Sequence, residues 1–273
     1  MSAVAYALLM TTIAGLSTGI GGFISLFSKR DNTKFLTASL GFSAGVMIYV
    51  SFVNLFVDSQ ELLVAALGER SGMWAAIASL FGGMIFIGVI DRLIPSEHNP
   101  HEIQKPGGCA DEIELSHTVK ATNGPMMRTA LFTALAIGIH NFPEGIATFI
   151  ASVSEPTMAL PITVAIALHN IPEGIAVAVP IFYATGSRKK AFWYSLLSGL
   201  AEPIGGLVGY LVLMPFLNDV LFGVVFGAVA GIMIYISLDE LLPSAEEYGH
   251  HHLVIGGLVL GMAVMAVSMV LLG

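Results

Sequence analysis

The chain has 273 residues, of which 55% are hydrophobic and only 11% are charged, and its formal net charge is −8. Because soluble domains carry about 25% charged residues, this composition excludes an ordinary soluble protein and indicates an integral membrane protein. The sequence has no basic run that would suggest nucleic-acid binding, and its single cysteine, Cys109, excludes an intramolecular disulfide.

The first part of the chain holds three apolar stretches long enough to cross a bilayer, which takes about 20 residues. They cover 3–27, 35–57 and 73–95. The first stretch lacks a basic N-terminal region and is longer than the apolar part of a signal peptide, so we interpret it as a membrane span. The polar stretch 96–126 follows and predicts a mobile loop. Its histidines, His98, His101 and His117, are explained equally well by metal buffering and by ordinary loop polarity.

Spans four and five, predicted at 127–152 and 157–183, each carry a copy of one octapeptide. Residues 140–147 read HNFPEGIA and residues 169–176 read HNIPEGIA, so seven of eight positions are identical. A helix places residues i, i+3 and i+4 on one face. The spacing therefore predicts two clusters of an imidazole, an amide and a carboxylate, formed by His140, Asn141 and Glu144 and by His169, Asn170 and Glu173.

Span six, predicted at 190–214, adds a third carboxylate within the membrane, Glu202, next to Pro203. Polar groups at this depth are costly and therefore indicate function. We predict two adjacent cation sites that share the carboxylates of spans four and five. One uses His140, Glu144, His169 and Glu173, and the other uses Asn141, Glu144, Asn170, Glu173 and Glu202.

The predicted donors limit the metal and its chemistry. Imidazole with carboxylate oxygen suits Zn(II), Fe(II), Mn(II) and Co(II), and the absence of a thiol from the spans argues against Cu(I). Three carboxylates without a metal cannot all stay ionised in a low-dielectric site, so metal binding should release protons. The metal is a transported ion in this interpretation, and no cofactor is predicted. A purely structural polar network is the alternative.

The last two spans are predicted at 220–243 and 252–272, which gives eight spans and places both termini on one side. Ten of the eleven Lys and Arg residues then lie in the first, third, fifth and seventh connections or in the span ends beside them, and only Arg70 lies opposite. Basic residues mark the cytoplasmic side. We therefore predict a cytoplasmic loop 96–126, outside termini and a multi-pass protein of the cell membrane.

A second repeat relates spans two and seven. Residues 41–55 align with residues 227–241 at a constant offset of 186 and share Gly, Met, Tyr and Ser positions. Because these spans cross the membrane in opposite directions, the pattern predicts an inverted repeat, which is typical of transporters. We predict an all-α integral membrane fold of eight helices arranged 3+2+3, in one domain covering 1–273. Chance similarity of glycine-rich helices is the alternative. The repeat matches Asn54 with Glu240. Two interpretations are equally good: the two residues are an outer and an inner metal ligand, or they are ordinary polar residues at helix ends.

These motifs resemble those of the ZIP family of metal-ion transporters, and most closely its bacterial ZupT-type branch. The resemblance rests on HNFPEG at 140–145, HNIPEG at 169–174 and Ala201-Glu202-Pro203. It implies uptake of Zn(II), with Fe(II), Mn(II), Co(II) and Cd(II) as related ions, through a binuclear centre in the inner membrane. It implies Asn141, Glu144, Asn170, Glu173 and Glu202 as an iron-type site, and Glu144, His169 and Glu173 as a zinc-type site beside His140. A homodimer is implied by the resemblance alone.

Three other functions compete with metal uptake at this stage. An intramembrane metalloprotease usually carries His-Glu-x-x-His with a spare glutamate as base, whereas every central charged residue here is a predicted ligand. A metal exporter has the same ligands, because the sequence pattern does not set direction. A metal-stabilised scaffold would hold an ion that does not exchange. The predicted partners are divalent ions and the lipid bilayer.

Overall fold

A computed structural model describes residues 2–25, 27, 33–93, 123–157, 159–216, 218–246 and 249–272, and these residues are almost entirely helical. No β-strand occurs in these ranges, so the predicted all-α class is confirmed. Eight long helices follow one another: α1 (Ala3–Ser25), α2 (Thr33–Leu67), α3 (Glu69–Leu93), α4 (Asn123–Ser154), α5 (Ala159–Thr185), α6 (Arg188–Phe216), α7 (Asp219–Glu246) and α8 (His251–Leu272).

Seven of these helices are long and apolar enough to cross a membrane over the residues described, and α4, with 32 residues, also has the length. The largest boundary error concerns α2, which we expected to end at residue 57 and which continues to Leu67. Asp58 and Glu61 lie within this helix because it ends only at Gly68, where a φ of 82° requires the left-handed conformation that glycine tolerates.

The predicted loop 96–126 lies mostly outside the described residues, so the histidines predicted there are not placed. Its last four residues are helical, because α4 already begins at Asn123. The loop prediction was therefore too long at its C-terminal end.

The helices pack as two bundles. One contains α1, α4, α5 and α6, and the other contains α2, α3, α7 and α8. Within the first, α1 packs on α5 and α4 on α6; within the second, α2 packs on α8 and α3 on α7. A 3+2+3 inverted repeat relates α1 to α6, α2 to α7, α3 to α8 and α4 to α5. Under this relation the α1–α5 pair corresponds to the α6–α4 pair, and the α2–α8 pair corresponds to the α7–α3 pair. The pairing is therefore what a 3+2+3 inverted repeat requires.

Local geometry repeats at the predicted offset of 186 residues. The α2 helix contains one π-helical turn at Ser51–Leu55, and α7 contains one at Ser237–Leu241. The Ser51 and Ser237 hydroxyls donate to the carbonyls of Met47 and Met233, each at 2.7 Å. Such turns are rare and occur at functional sites, so their equivalent positions exclude chance similarity and confirm the repeat.

Small residues let the helices of the second bundle touch through their backbones. A Cβ atom added at Gly45 would overlap the carbonyl oxygen of Leu258 on α8, and one added at the equivalent Gly231 would overlap the carbonyl oxygen of Leu80 on α3. Close backbone approach through small residues is the usual way in which membrane helices associate. The same contact occurs in both halves, so the glycine pattern follows from the symmetry of the packing.

Replacing Gly45 by alanine should destabilise the protein, because α8 must move away from α2. We expect a loss of about 1–3 kcal/mol, typical of overpacking, measured as a lower melting temperature in detergent. Gly256→Ala on α8 is the matched control, because no neighbouring atom lies within 4 Å of the added Cβ. Equal melting temperatures for the two variants would contradict this packing.

Candidate metal centre

Six of the seven predicted ligands lie inside the first bundle and are shielded from solvent. His169, Asn141, Asn170 and Glu202 are 0% exposed, Glu173 is 1% exposed and Glu144 is 3% exposed. They come from α4, α5 and α6. The backbone of His140 lies in α4, but its side chain is outside the described part of the structure, so its role stays a prediction.

One direct contact joins the two octapeptides. His169 Nε2 of α5 lies 2.7 Å from Glu144 Oε1 of α4. Both are residues that a divalent cation of the Zn(II) type accepts as ligands. The sequence repeat therefore becomes a spatial pair across the α4–α5 interface.

The two asparagines are oriented in the same way by backbone carbonyls. Asn141 Nδ2 donates to the Ser198 carbonyl on α6 at 3.3 Å, and Asn170 Nδ2 donates to the Ala14 carbonyl on α1 at 3.0 Å. Among the residues described, neither Oδ1 atom has a hydrogen-bond partner, although both are buried. With the amide nitrogens held in this way, the oxygen of each amide remains available as a neutral cation ligand.

The carbonyls of Ala14 and Ser198 are positioned by the point where α1 crosses α6, at which two glycines are in contact. A Cβ added at Gly15 on α1 would overlap the carbonyl oxygen of Gly199 on α6, and one added at Gly199 would overlap the carbonyl oxygen of Gly15. This reciprocal contact is expected where a two-fold axis passes between two helices. It brings Ala14 and Ser198, each one residue before the crossing glycine, to opposite sides of the centre.

Glu202 completes the carboxylate set. Its Oε1 atom accepts a hydrogen bond from Asn170 Nδ2, and both Glu144 and Glu173 are close enough to act on it electrostatically. Across the described residues, no three His, Cys, Asp or Glu side chains already converge as a compact cage. The donors are instead held in two pairs, Glu144 with His169 and Glu202 with Asn170.

Sequence reasoning missed the residues that support these ligands. Besides the Ala14 and Ser198 carbonyls, the Ser43 hydroxyl of α2 donates to the carbonyl of His169 at 3.3 Å. That bond crosses from the second bundle to the first. Backbone carbonyls leave no mark in a sequence, and Ser43 stood out only as part of the glycine-rich repeat.

The two π-helical turns hold the predicted outer and inner ligands. Asn54 lines a cavity of about 170 Å³. Asp58 and, in α4, Glu144 line the same cavity. The cavity wall is formed by the C-terminal halves of α2, α4 and α8 and by the N-terminal halves of α5 and α7. These helix halves belong to both bundles and lie on the same side of the protein. Glu240 is buried in its own π-helical turn.

His250 and His251, beside the start of α8, lie away from the centre. The exposed His251 Nδ1 is 2.6 Å from Glu246 Oε1, at the start of α8. His250 Nε2 lies 3.5 Å from the Thr33 hydroxyl. Both contacts are at the end of the bundle where α2 and α8 begin, so these residues are separate from the buried ligands.

Comparison with known proteins gives one consistent result. A family model described as "ZIP Zinc transporter" matches residues 2–269. A protein named "Zinc transporter ZupT" from Streptococcus mutans is 56% identical over 265 residues, which covers 97% of each chain. Proteins of the same name from Lysinibacillus sphaericus (57% identical over 265 residues, 96% of each chain) and Clostridium perfringens (53% over 277 residues, 99% of this chain and 97% of the relative) are similar throughout.

Removing the imidazole at the α4–α5 contact should weaken metal binding directly. We expect His169→Gln to lower the affinity of the purified protein for Zn(II) at least about tenfold, measured by competition with a chromophoric chelator. His251→Gln removes an exposed imidazole from the end of the bundle and should leave the affinity unchanged. The reverse order of effects would place the principal site outside the membrane.

Proposed function

The chain belongs to the ZIP family of zinc transporters, and from that premise we propose that it carries Zn(II) into the cytoplasm through a binuclear centre between α4, α5 and α6. It is a multi-pass membrane transporter of divalent metal ions, not an enzyme. The observation that supports the proposed centre best is the burial of three carboxylates, an imidazole and two oriented amides at one place.

The ligands divide between two cation positions in this proposal. Glu144, His169 and Glu173, with His140 beside them, hold Zn(II) with a set typical of that ion. Asn141, Asn170 and Glu202 provide oxygen atoms on the other side, and Glu144 and Glu173 bridge both positions. Oxygen-rich ligation with amides also suits Fe(II), Mn(II), Co(II) and Cd(II), so we include these ions as further substrates.

The cavity supports a path to the centre from one side. Its walls lie on the same side as the α2–α3 turn and the C-terminus, which the distribution of basic residues predicts to be outside. A hydrated ion would pass Asp58 and Asn54 and exchange its water for ligands at Glu144. Methionines line the same cavity and provide soft, polarisable walls (Met233, Met265 and Met269).

Release requires that the two bundles move relative to each other. In the proposed cycle, rocking of one bundle against the other closes the cavity and opens a path on the opposite side, near Glu240. The Ser43 hydroxyl bond to the His169 carbonyl joins the bundles at the level of the ligands. Because amides and shared carboxylates hold the ion only moderately, it can leave again.

Loss of either bridging carboxylate should abolish transport. We expect Glu144→Ala and Glu173→Ala to reduce Zn(II) uptake into proteoliposomes at least about a hundredfold, since even indirect neighbours of a metal contribute 10–100-fold. His251→Ala is the control and should retain uptake. Vesicles in which the chain has one known orientation test direction, and net efflux from the cytoplasmic face would contradict uptake.

Zinc binding should also displace protons, because buried carboxylates without a cation cannot all remain charged. Addition of Zn(II) to the metal-free protein in weakly buffered detergent should acidify the solution, as read with a pH-sensitive dye. Glu202→Gln removes one titratable group and should release fewer protons per bound ion. A binding step that leaves the pH constant would contradict this coupling.

A further inference from the structure

The inverted repeat pairs Glu202 of α6 with Thr18 of α1. Gly15 contacts Gly199 reciprocally, and the carbonyls of Ala14 and Ser198 bind equivalent asparagines, so α1 and α6 are related by an offset of 184 residues. The same offset relates Thr18 to Glu202. The backbone carbonyls of Thr18 and Glu202 also occupy equivalent places. A Cβ added at Gly174 would overlap the Thr18 carbonyl, and a Cβ added at Gly145 would overlap the Glu202 carbonyl.

The surroundings of Asn170 and Asn141 show what this pairing means. Asn170 Nδ2 binds the Ala14 carbonyl and the Glu202 carboxylate. Asn141 Nδ2 binds the Ser198 carbonyl, which is the equivalent of the first partner. The equivalent of the second partner is the side chain of Thr18, whose hydroxyl is two carbon atoms shorter in reach than a glutamate carboxylate.

The Thr18 hydroxyl does not form the bond that a helical threonine usually forms. Thr11 and Thr12 of α1 donate to the carbonyls four residues earlier, at 2.9 Å and 2.6 Å. For Thr18 that carbonyl belongs to Ala14, which accepts the Asn170 amide. Thr18 is 0% exposed, and within the described ranges its Oγ1 has no hydrogen-bond partner.

The hydroxyl lies on the Asn141 side of the centre. A Cβ added at Gly199 would lie 2.8 Å from Thr18 Oγ1, and Gly199 follows Ser198, whose carbonyl holds the Asn141 amide. The Thr18 hydroxyl and the Asn141 amide thus adjoin two consecutive residues of α6, and among the described residues neither Thr18 Oγ1 nor Asn141 Oδ1 has a hydrogen-bond partner. Leaving such atoms unsatisfied is unfavourable, and a bound cation with its water would offset that cost.

We propose that the Thr18 hydroxyl is a further specificity-determining oxygen of the centre, which contacts the hydrated cation held on the Asn141 side. This inference rests on the proposed function. It makes the centre chemically asymmetric: the α6 half supplies the charged Glu202, and the α1 half supplies a neutral hydroxyl. A neutral oxygen binds a cation less strongly than a fourth carboxylate, which favours release.

The test compares variants of Thr18 and Thr11 in proteoliposomes. Thr18→Val keeps the shape of the side chain and removes the hydroxyl, so the KM for Zn(II) uptake should rise about tenfold. Thr18→Ser keeps the hydroxyl and should retain the KM. Thr11→Val is the matched control, because it removes a buried threonine hydroxyl of the same helix that is satisfied by its own backbone. Thr18→Ala provides the same comparison with Thr18→Ser if the valine variant does not fold.

Thermal unfolding separates ligation from structural support. If the hydroxyl serves the cation, metal-free Thr18→Val should melt at the wild-type temperature or above, because a methyl group replaces an unsatisfied hydroxyl. An unchanged KM in Thr18→Val, an equal rise in Thr11→Val, or a lower melting temperature without metal would overturn the inference. Zinc uptake that is insensitive to Glu144→Ala would instead overturn the proposed function, so the two failures are distinguishable.

Discussion

The structure depends on the burial of several carboxyl groups close together inside a membrane protein. Glu144, Glu173 and Glu202 are shielded from solvent, whereas every lysine and arginine side chain that the structure describes is exposed. An isolated buried carboxylate is strongly unfavourable. In the proposed function a divalent cation offsets this cost, and the exchange of the cation for protons would link metal binding to proton release. The same requirement explains why these residues lie in the bundle interior rather than facing lipid.

The scaffold meets this requirement by bringing backbones close together. Where α1 crosses α6, Gly15 and Gly199 let two carbonyl groups reach the asparagines of the octapeptides. Because those carbonyls accept hydrogen bonds from the amide nitrogens, the amide oxygens face the centre as the donors that the proposed function requires. Inverted symmetry supplies each of these features twice, and the exception is Glu202, whose equivalent position in the other half is Thr18. The frame is therefore symmetric, and its set of carboxyl groups is not.

Much of the fold could be predicted because hydrophobic length and charge act locally along the chain. Runs of about 20 apolar residues located the helices, and the offset of 186 residues between Gly41 and Gly227 predicted the inverted repeat that the π-helical turns at Ser51 and Ser237 confirm. The end of α2 could not be predicted, because Asp58 and Glu61 resemble a polar connection. Helix geometry continues through them to Gly68, whose positive φ ends the helix.

The sequence by itself determined the chemistry of the centre, because the residue types and their i, i+3 and i+4 spacing fix which donors share a helix face. Only the tertiary structure decided which donors meet. It joins His169 with Glu144 and Glu202 with Asn170, and it assigns the carbonyls of Ala14 and Ser198 and the hydroxyl of Ser43 to supporting positions. The contacts of Ala14, Ser198 and Ser43 join residues up to 156 positions apart through backbone carbonyls, which every residue has. Side-chain patterns carry no information about them, and helix packing alone places them.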